Sequence, residues 1–238
     1  MNEIFIDLRK LVAFLIFILL VGYISAQTGS GQVIEQERSL ANFSFIDVED
    51  GIDVYLTPGN TSSVMVKADD NLADRIITKV SGKVLSIEMD GSYRKAKKLE
   101  VHITLPELSG IEASGGSDVY STQRFKLSDF KIELSGGSDI RFEMDAGQVF
   151  CNLSGGSDAE LRGSVNELKA QTSGGSDLKA KDLEIKKCKL YASGGSDAYV
   201  WVKEELEMEA SGASDIYYRG KPNITHQRAS GASDIHPM

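Results

Sequence analysis

The sequence predicts an all-β protein folded as a parallel β-helix, a solenoid with about 19 residues in each coil. Three observations support this fold class. A five-residue motif recurs seven times, the segments between its copies alternate apolar and polar residues, and glycine accounts for 23 of the 238 residues. That glycine content exceeds the usual ~7%, and the excess lies in the motif itself.

The repeating unit is defined by the motif and its spacing. SGGSD begins at Ser114, Ser135, Ser154, Ser173 and Ser193, and the variant SGASD begins at Ser211 and Ser230. Successive starts are separated by 21, 19, 19, 20, 18 and 19 residues. Copies at such even spacing indicate one structural unit for each coil, with a period typical of solenoids.

The segments between motifs have the pattern of strands. With the first serine of each motif as position 0, positions −3, −1 and +5 are mostly apolar, and positions −2 and +6 are mostly polar. Since side chains alternate between the two faces of a strand, each coil should contribute two short strands with one buried face. We expect coils stacked ~4.8 Å apart, flattened into two sheets and wound right-handed.

Each motif is expected to form the tight turn between the two sheets. Glycine adopts positive φ readily, and Ser and Asp side chains can accept hydrogen bonds from the amides of their own turn. The residues assigned to these turns are Gly115, Gly116, Ser117, Asp118, Gly136, Gly137, Ser138, Asp139, Asp158, Asp177, Asp197, Asp215 and Asp234.

The amino terminus predicts export. Residues 11–24 form an uncharged apolar run of 14, which follows Arg9 and Lys10 and precedes Ser25 and Ala26. A transmembrane helix needs ~20 apolar residues, so the run suits a signal peptide better than an uncleaved anchor. We expect residues 1–26 to be a signal peptide and the mature protein to be periplasmic, displayed on the outer surface or secreted.

The rest of the chain divides into three parts. Residues 27–41 are expected to be a linker, residues 42–110 an irregular β-rich half that caps one end, and residues 111–238 the regular β-helix. A degenerate motif at residues 49–55 relates the two halves, and the spacing up to Ser114 suits about three longer coils. Residues 71–77 suit one helical turn.

These features resemble the bacterial family known as putative auto-transporter adhesin, head GIN domain. The resemblance rests on DGIDVYL at residues 50–56, on LPELSGIEASGGSDV at residues 105–119 and on the serial GSD turns. It implies a β-helix whose GSD motifs turn tightly between two sheets. It also implies exported proteins of Gram-negative bacteria with a role in adhesion.

The seven motif aspartates should form one column along the solenoid. Carboxylates ~5 Å apart repel by on the order of 1 kcal/mol in water. Hydrogen bonds from N–H groups of the same turn would disperse this charge. A Ca²⁺ array is the alternative, although each coil offers one carboxylate to an ion that takes 6–8 oxygen ligands.

Aromatic residues at outward positions give a candidate binding patch. Tyr199 and Tyr217 lie on adjacent coils and should stack, with Trp201 alongside. Exposed Tyr and Trp favour interfaces and can pack on a sugar ring or a protein partner. A stack of surface aromatics that only stiffens the sheet is the alternative.

The two cysteines are expected to be buried free thiols. Cys151 and Cys188 occupy inward positions two coils apart, which corresponds to ~9.6 Å. That distance exceeds the ~7 Å Cα limit for a disulfide, so we predict no disulfide.

Composition narrows the function further. A formal net charge of −9 argues against nucleic-acid binding, and three histidines make a His-rich metal site improbable, so we expect no cofactor. The sequence favours a non-enzymatic, adhesin-like module that binds a glycan or protein at a cell surface. The alternatives are a carbohydrate-active β-helix enzyme and a structural envelope protein that forms homo-oligomers through its C-terminal coil.

Overall fold

A computed structural model describes residues 26–238, so the predicted signal peptide lies outside the described residues except for Ala26. No helix in the described part is long and apolar enough to cross a membrane. The fold is all-β, as predicted, and the β-solenoid has about seven turns of about 19 residues.

The described chain contains 19 strands and one short helix, α1 (Asp70–Ala73). The strands are β1 (Gln27–Thr28), β2 (Val33–Arg38), β3 (Phe45–Val48), β4 (Asp53–Pro58), β5 (Ser63–Asp69), β6 (Ile76–Ser81), β7 (Val84–Met89), β8 (Tyr93–Lys95), β9 (Leu99–Leu105), β10 (Gly110–Ala113), β11 (Val119–Ser121), β12 (Phe125–Leu134), β13 (Ile140–Leu153), β14 (Asp158–Thr172), β15 (Asp177–Ala192), β16 (Asp197–Gly212), β17 (Asp215–Arg219), β18 (Asn223–Gly231) and β19 (Ile235–Pro237).

The full coils contain one long bent strand each, whereas the sequence predicted two short ones. β13, β14, β15 and β16 each run from just after one motif to the start of the next, and neighbours pair in parallel. In β14 the strand bends at Gly163, which has φ of 111°. A Cβ atom there would lie 1.9 Å from the carbonyl oxygen of Met144 on the preceding coil. Glycine therefore lets the chain bend without interrupting the strand pairing.

The two arms of each bent strand form two faces of the solenoid. The pre-motif face consists of residues 131–134, 150–153, 169–172, 189–192 and 207–210. The post-motif face consists of residues 140–144, 159–162, 178–180, 198–201 and 216–219. Inward positions align from coil to coil, so that Ile132, Cys151, Ala170, Leu190 and Met208 form one buried column. This continuous apolar column is the core that the alternating pattern predicted.

The N-terminal half joins the solenoid in an order that differs from the chain order. β3 and β4 stack directly on β10 and β11, with Ile46 opposite Ile111 and Val54 opposite Val119. β7 and β9 then stack on the far side of β3 and β4. The expectation of about three successive coils is therefore wrong. The chain first forms the coil of β3 and β4 and then the outer coil of β7 and β9. It then returns to the inner side of β3 and β4, where β10 and β11 begin the regular repeats.

Antiparallel strands close this end of the solenoid, which agrees with the predicted cap. β6 pairs with β7, β5 pairs with β9, and β2 pairs with the other edge of β5. The expected linker, residues 27–41, contains β1 and β2, because the chain there supplies an edge strand to the cap. The helical turn expected at residues 71–77 is α1, which begins one residue earlier.

Candidate functional site

The serine at position +3 of every motif is buried inside the solenoid. The Ser233 Oγ accepts a hydrogen bond from the Ser230 N–H at 3.1 Å and lies 3.0 Å from the carbonyl oxygen of Ala210 on the preceding coil. Ser214 makes the equivalent pair of contacts. These buried serines are Ser117, Ser138, Ser157, Ser176, Ser196, Ser214 and Ser233. In the last two motifs serine therefore acts inside its own turn and ties that turn to the preceding coil, whereas the Oγ atoms of Ser138 and Ser176 accept an N–H from the preceding coil.

The motif aspartates form one column in which each side chain bonds to the next coil. The Oδ1 of Asp139 accepts the backbone N–H of Asp158 at 3.1 Å, and the Oδ1 of Asp215 accepts that of Asp234 at 2.9 Å. The other four links of the column each measure 3.3 Å. The hydrogen bonds expected within each turn are therefore found between coils, because the carboxylates point along the solenoid axis.

The column of aspartates continues into the N-terminal half, and it contains carboxyl groups whose pKa is raised. Asp53 lies on the coil next to Asp118, and Glu100 lies opposite Asp53. Burial, reinforced by the carboxylates of Asp118 and Glu100, raises the pKa of Asp53 to about 6. Burial and the neighbouring aspartates also raise the pKa of Asp139. Within residues 26–238, no group of three or more His, Cys, Asp and Glu side chains is arranged to hold a metal ion.

The two glycines of the motif have different conformations in different turns. Both have positive φ in the first two motifs, as at Gly115 and Gly116, whereas in later motifs only the first does. At Gly195 a Cβ atom would come no closer than 3.8 Å to any neighbour. This explains why Ala213 and Ala232 replace the second glycine in the last two motifs.

The predicted tyrosine stack is present and extends by one residue. The ring centroids of Tyr199 and Tyr217 lie 4.8 Å apart with an interplanar angle of 6°, and His236 stacks on Tyr217 at 5.3 Å. Both tyrosines are half-buried. At the other end of the same column, sequence reasoning missed a second stack of His102, Tyr55 and Tyr120. The degenerate motif at residues 49–55 indicated this second stack, because Tyr55 lies two residues after Asp53, just as Tyr120 lies two residues after Asp118.

Trp201 lies in the neighbouring column and contacts cations. The guanidinium carbon of Arg219 lies 4.3 Å from the Trp201 ring centroid, and the Nζ of Lys203 lies 5.0 Å away. Trp201 is two residues from Tyr199 in β16, so both side chains point outward from the post-motif face. The patch predicted from sequence therefore consists of a tyrosine stack and a separate tryptophan between two basic side chains.

Trp201 also lines an open polar cleft at the bend of the strands. This cleft has a volume of about 570 Å³, and its other charged walls are Arg124, Glu143, Asp145, Arg162, Asp182 and Glu184. An adjoining depression of about 370 Å³ shares Glu143 and Arg162 with it. Together the two depressions cross several coils of the solenoid and form our candidate functional site.

Exposed ion pairs line the walls of the cleft. The Arg124 Nη2 lies 2.6 Å from Glu143 Oε1, Arg162 pairs with Glu160, and Lys203 Nζ lies 3.6 Å from Glu184. The hydrogen bond to Glu143 raises the pKa of Arg124. The cleft presents hydrogen-bond donors and acceptors beside an aromatic ring.

Sequence reasoning missed this cleft although its residues lie in two outward columns, because a register shift brings Trp201 opposite Glu184. The signal was the unequal spacing of the motifs, which is 20 residues for the coil that includes Ala180 and Glu184 and 18 for the next. The pairing of β15 with β16 shifts register between those two residues. Residues 181–183 pair with no residue of β16, and Asp182 lies at the rim of the cleft.

The two cysteines are free and buried. Cys151 lies between Ile132 and Ala170 in one inward column, and Cys188 lies between Leu168 and Leu206 in another. Burial raises the pKa of each thiol to about 12. These thiols are packing residues of the core, remote from the cleft.

Comparisons with known proteins agree on fold and family. The model of the family described as putative auto-transporter adhesin, head GIN domain, matches residues 42–222. A crystal structure of a putative adhesin from Bacteroides fragilis superposes with a TM-score of 0.83 at 21% identity, over 89% of this chain and 99% of that one.

Two structures from Parabacteroides distasonis are also similar. One is of a putative adhesin, with a TM-score of 0.72 at 18% identity, over 89% of this chain and 100% of that one. The other is of a putative lipid binding protein, with a TM-score of 0.72 at 19% identity, over 90% of this chain and 100% of that one. No curated protein matches this sequence.

Proposed function

The chain belongs to the putative auto-transporter adhesin, head GIN domain family, and from this premise we propose that it is a non-enzymatic exported module that binds a glycan on a surface. Family membership supports an adhesin-like role for an exported or surface protein. The names of the similar crystal structures refer to adhesion and support a function without catalysis.

The observation that carries the glycan proposal is the position of Trp201 in the polar cleft. It is the sole tryptophan of the chain, and its half-buried ring stands beside paired arginine and carboxylate groups. A sugar face can take the place of Lys203, whose Nζ lies 5.0 Å from the ring centroid, on the flat apolar surface of the ring. The surrounding donors and acceptors match the hydroxyl groups that project from the edge of the sugar.

The ion pairs within the cleft support binding in a second way. The guanidinium of Arg124 contacts Glu143 and lies 3.6 Å from Asp145, so hydrogen-bond donors and acceptors meet at one wall of the cleft. The neighbouring stack of Tyr199 and Tyr217 extends the aromatic surface along the solenoid axis. An extended oligosaccharide could contact the cleft and the stack together.

An array of neutral and acidic oligosaccharides, probed with the mature protein, tests this proposal. We expect binding to at least one glycan, weakened about tenfold or more by Trp201→Ala, which corresponds to about 1.4 kcal/mol. Ile77→Ser, at an exposed apolar position of β6, is the matched control. Absence of binding, equal binding by the Trp201 variant, or cleavage of a bound glycan would contradict the proposal.

The similar protein described as lipid binding defines a competing outcome. Vesicles of zwitterionic and anionic phospholipid should therefore be compared with the glycans under the same conditions. Binding to vesicles without binding to any glycan would reject a sugar ligand and favour a lipid surface.

The final coil supports a second candidate function, self-association. β18 is exposed over all nine residues, and its outer edge has no neighbouring strand within residues 26–238. Gln227 occupies the inward column that Leu190 and Met208 fill in earlier coils. Association at this edge would therefore rely on backbone hydrogen bonds more than on apolar burial.

Light scattering over a range of concentrations tests this second function. We expect a mass that rises with concentration, and we expect Thr225→Pro, which places a proline within β18, to reduce association. A monomeric mass at every concentration would reject self-association.

A further inference from the structure

The pre-motif face carries a trough that is separate from the Trp201 cleft. It has a volume of about 320 Å³ and lies between the outward columns at positions −4 and −2. One wall is formed by Phe150, Lys169 and Lys189, and the other by Asn152, Gln171 and Tyr191. The alternation of the repeat explains why these side chains face outward, but not why four of the six are aromatic or amide residues.

The strand register brings the six residues into three consecutive rows. Phe150 lies opposite Lys169, which lies opposite Lys189. In the other wall, Gln171 lies between Asn152 and Tyr191 in the same way. Since coils are ~4.8 Å apart, a ligand extended along the solenoid axis would meet one group of each wall in every row.

Phe150 gives the trough an exposed aromatic surface. The side chain is 41% exposed, and it is the one aromatic residue among the large hydrophobic side chains exposed in residues 26–238. The Nζ of Lys169 lies 5.2 Å from its ring centroid. An exposed ring beside cations and amides is typical of a binding surface rather than of packing.

The lining of the trough contains more lysines than carboxylates, on an acidic protein. Its lining contains Lys131, Lys169 and Lys189 but one carboxylate, Glu133, in a chain of net charge −9. Lys131 pairs with Glu133 at 2.6 Å. The other two lysines pair with glutamates outside the trough, Lys169 with Glu167 at 3.1 Å and Lys189 with Glu207 at 2.8 Å. Exposed ion pairs of this kind are weak, so a ligand carboxylate can compete for the lysines.

We propose that this trough is a second binding site, specific for an acidic oligosaccharide whose rings follow the solenoid axis. Phe150 and Tyr191 pack against the faces of the sugar rings. The exposed amides of Asn152 and Gln171 bind the hydroxyl groups, and Lys169 and Lys189 bind the carboxylates. The inference does not depend on the proposed function of the Trp201 cleft.

Calorimetric titration of the full mature chain with a galacturonic acid hexasaccharide tests the site. We expect binding that weakens as salt is raised, and a loss of about tenfold or more with Phe150→Ser or with the double variant Lys169→Gln and Lys189→Gln. Lys79→Gln and Ile77→Ser, at exposed positions of β6, are the matched controls and should bind as the wild type does. Circular dichroism verifies that each variant is folded.

Several results would overturn the proposal. Absence of binding, or equal binding by the trough variants, would reject the site. Equal affinity for the uncharged hexasaccharide maltohexaose would reject the acidic ligand, and preferential binding to phosphatidylglycerol vesicles would assign the trough to a lipid surface. Loss of binding with Trp201→Ala in place of Phe150→Ser would assign the acidic sugar to the cleft. Glycan binding at the cleft can fail or succeed independently of these outcomes.

Discussion

The backbone N–H of Asp158 donates a hydrogen bond to the Oδ1 of Asp139 on the preceding coil, over 3.1 Å. The same bond joins every pair of successive motif aspartates from Asp118 to Asp234. The motif aspartate is thus an acceptor that links coils, in addition to the backbone pairing of the strands. Its carboxylate charge is offset by the N–H dipole of the next turn.

Asp197 offers a direct measure of one link in this column. Asp197→Ala removes the acceptor of the Asp215 N–H and should lower the free energy of unfolding by about 1 kcal/mol. Asp197→Asn keeps the acceptor oxygen and removes the repulsion between neighbouring carboxylates, so its stability should equal or exceed that of the wild type. Urea unfolding of the three proteins measures both effects. Equal destabilisation by Ala and Asn would show that the charge, rather than the hydrogen bond, matters.

The two glycines of one motif should respond differently to the same substitution. Gly194 has φ of 80°, and a Cβ atom there would lie 2.8 Å from the carbonyl oxygen of Gly174. Gly194→Ala should therefore destabilise the protein by about 1–3 kcal/mol. Gly195→Ala meets no such contact and should change stability by less than about 0.5 kcal/mol. Thermal unfolding of both variants provides the comparison, and similar losses would contradict the assigned turn geometry.

The regular half of the fold was predictable because its information is local and repeated. The spacing of the motifs sets the coil length, and alternation around each motif identifies the inward column of Ile132, Cys151 and Ala170. The stacking of Tyr199 on Tyr217 follows from their equal position in adjacent coils. In each case one residue of the repeat determines the place of its counterparts.

The N-terminal half of the fold and the two candidate sites depend on contacts between segments that are distant in sequence or on details outside the repeat. The degenerate motif at residues 49–55 relates this coil to the repeats, but it does not show that the coil packs directly on residues 110–121, because that contact is made only when the intervening chain folds to its other side. The Trp201 cleft depends on a register shift between β15 and β16, and the trough depends on which outward residues are aromatic or amide. Outward positions tolerate many side chains, so alternation alone cannot distinguish a binding surface from a solvated one.

Asp53 should make stability depend on pH. Its folded pKa of about 6 exceeds the ~3.9 of an unfolded aspartate, so between these values the folded chain binds more protons. The contribution of Asp53 to the free energy of unfolding therefore falls as the pH rises through that range. Asp53→Asn cannot ionise and should be more stable than the wild type above about pH 6, by on the order of 1 kcal/mol for this partly exposed group. The difference should shrink towards about pH 4 in urea unfolding series, and a difference independent of pH would contradict the assignment.

Cys151 and Cys188 should be unreactive until the protein unfolds. Both thiols are 3% exposed, and burial raises their pKa to about 12, so almost no thiolate is present at neutral pH. Native protein should therefore react slowly with Ellman's reagent. Protein that is unfolded in denaturant without any reductant should react at both thiols. The rate in the native state then reports opening of the solenoid core, because the two cysteines lie in different inward columns of its middle coils. Rapid reaction of native protein, or fewer than two thiols in denaturant, would contradict the buried free-thiol assignment.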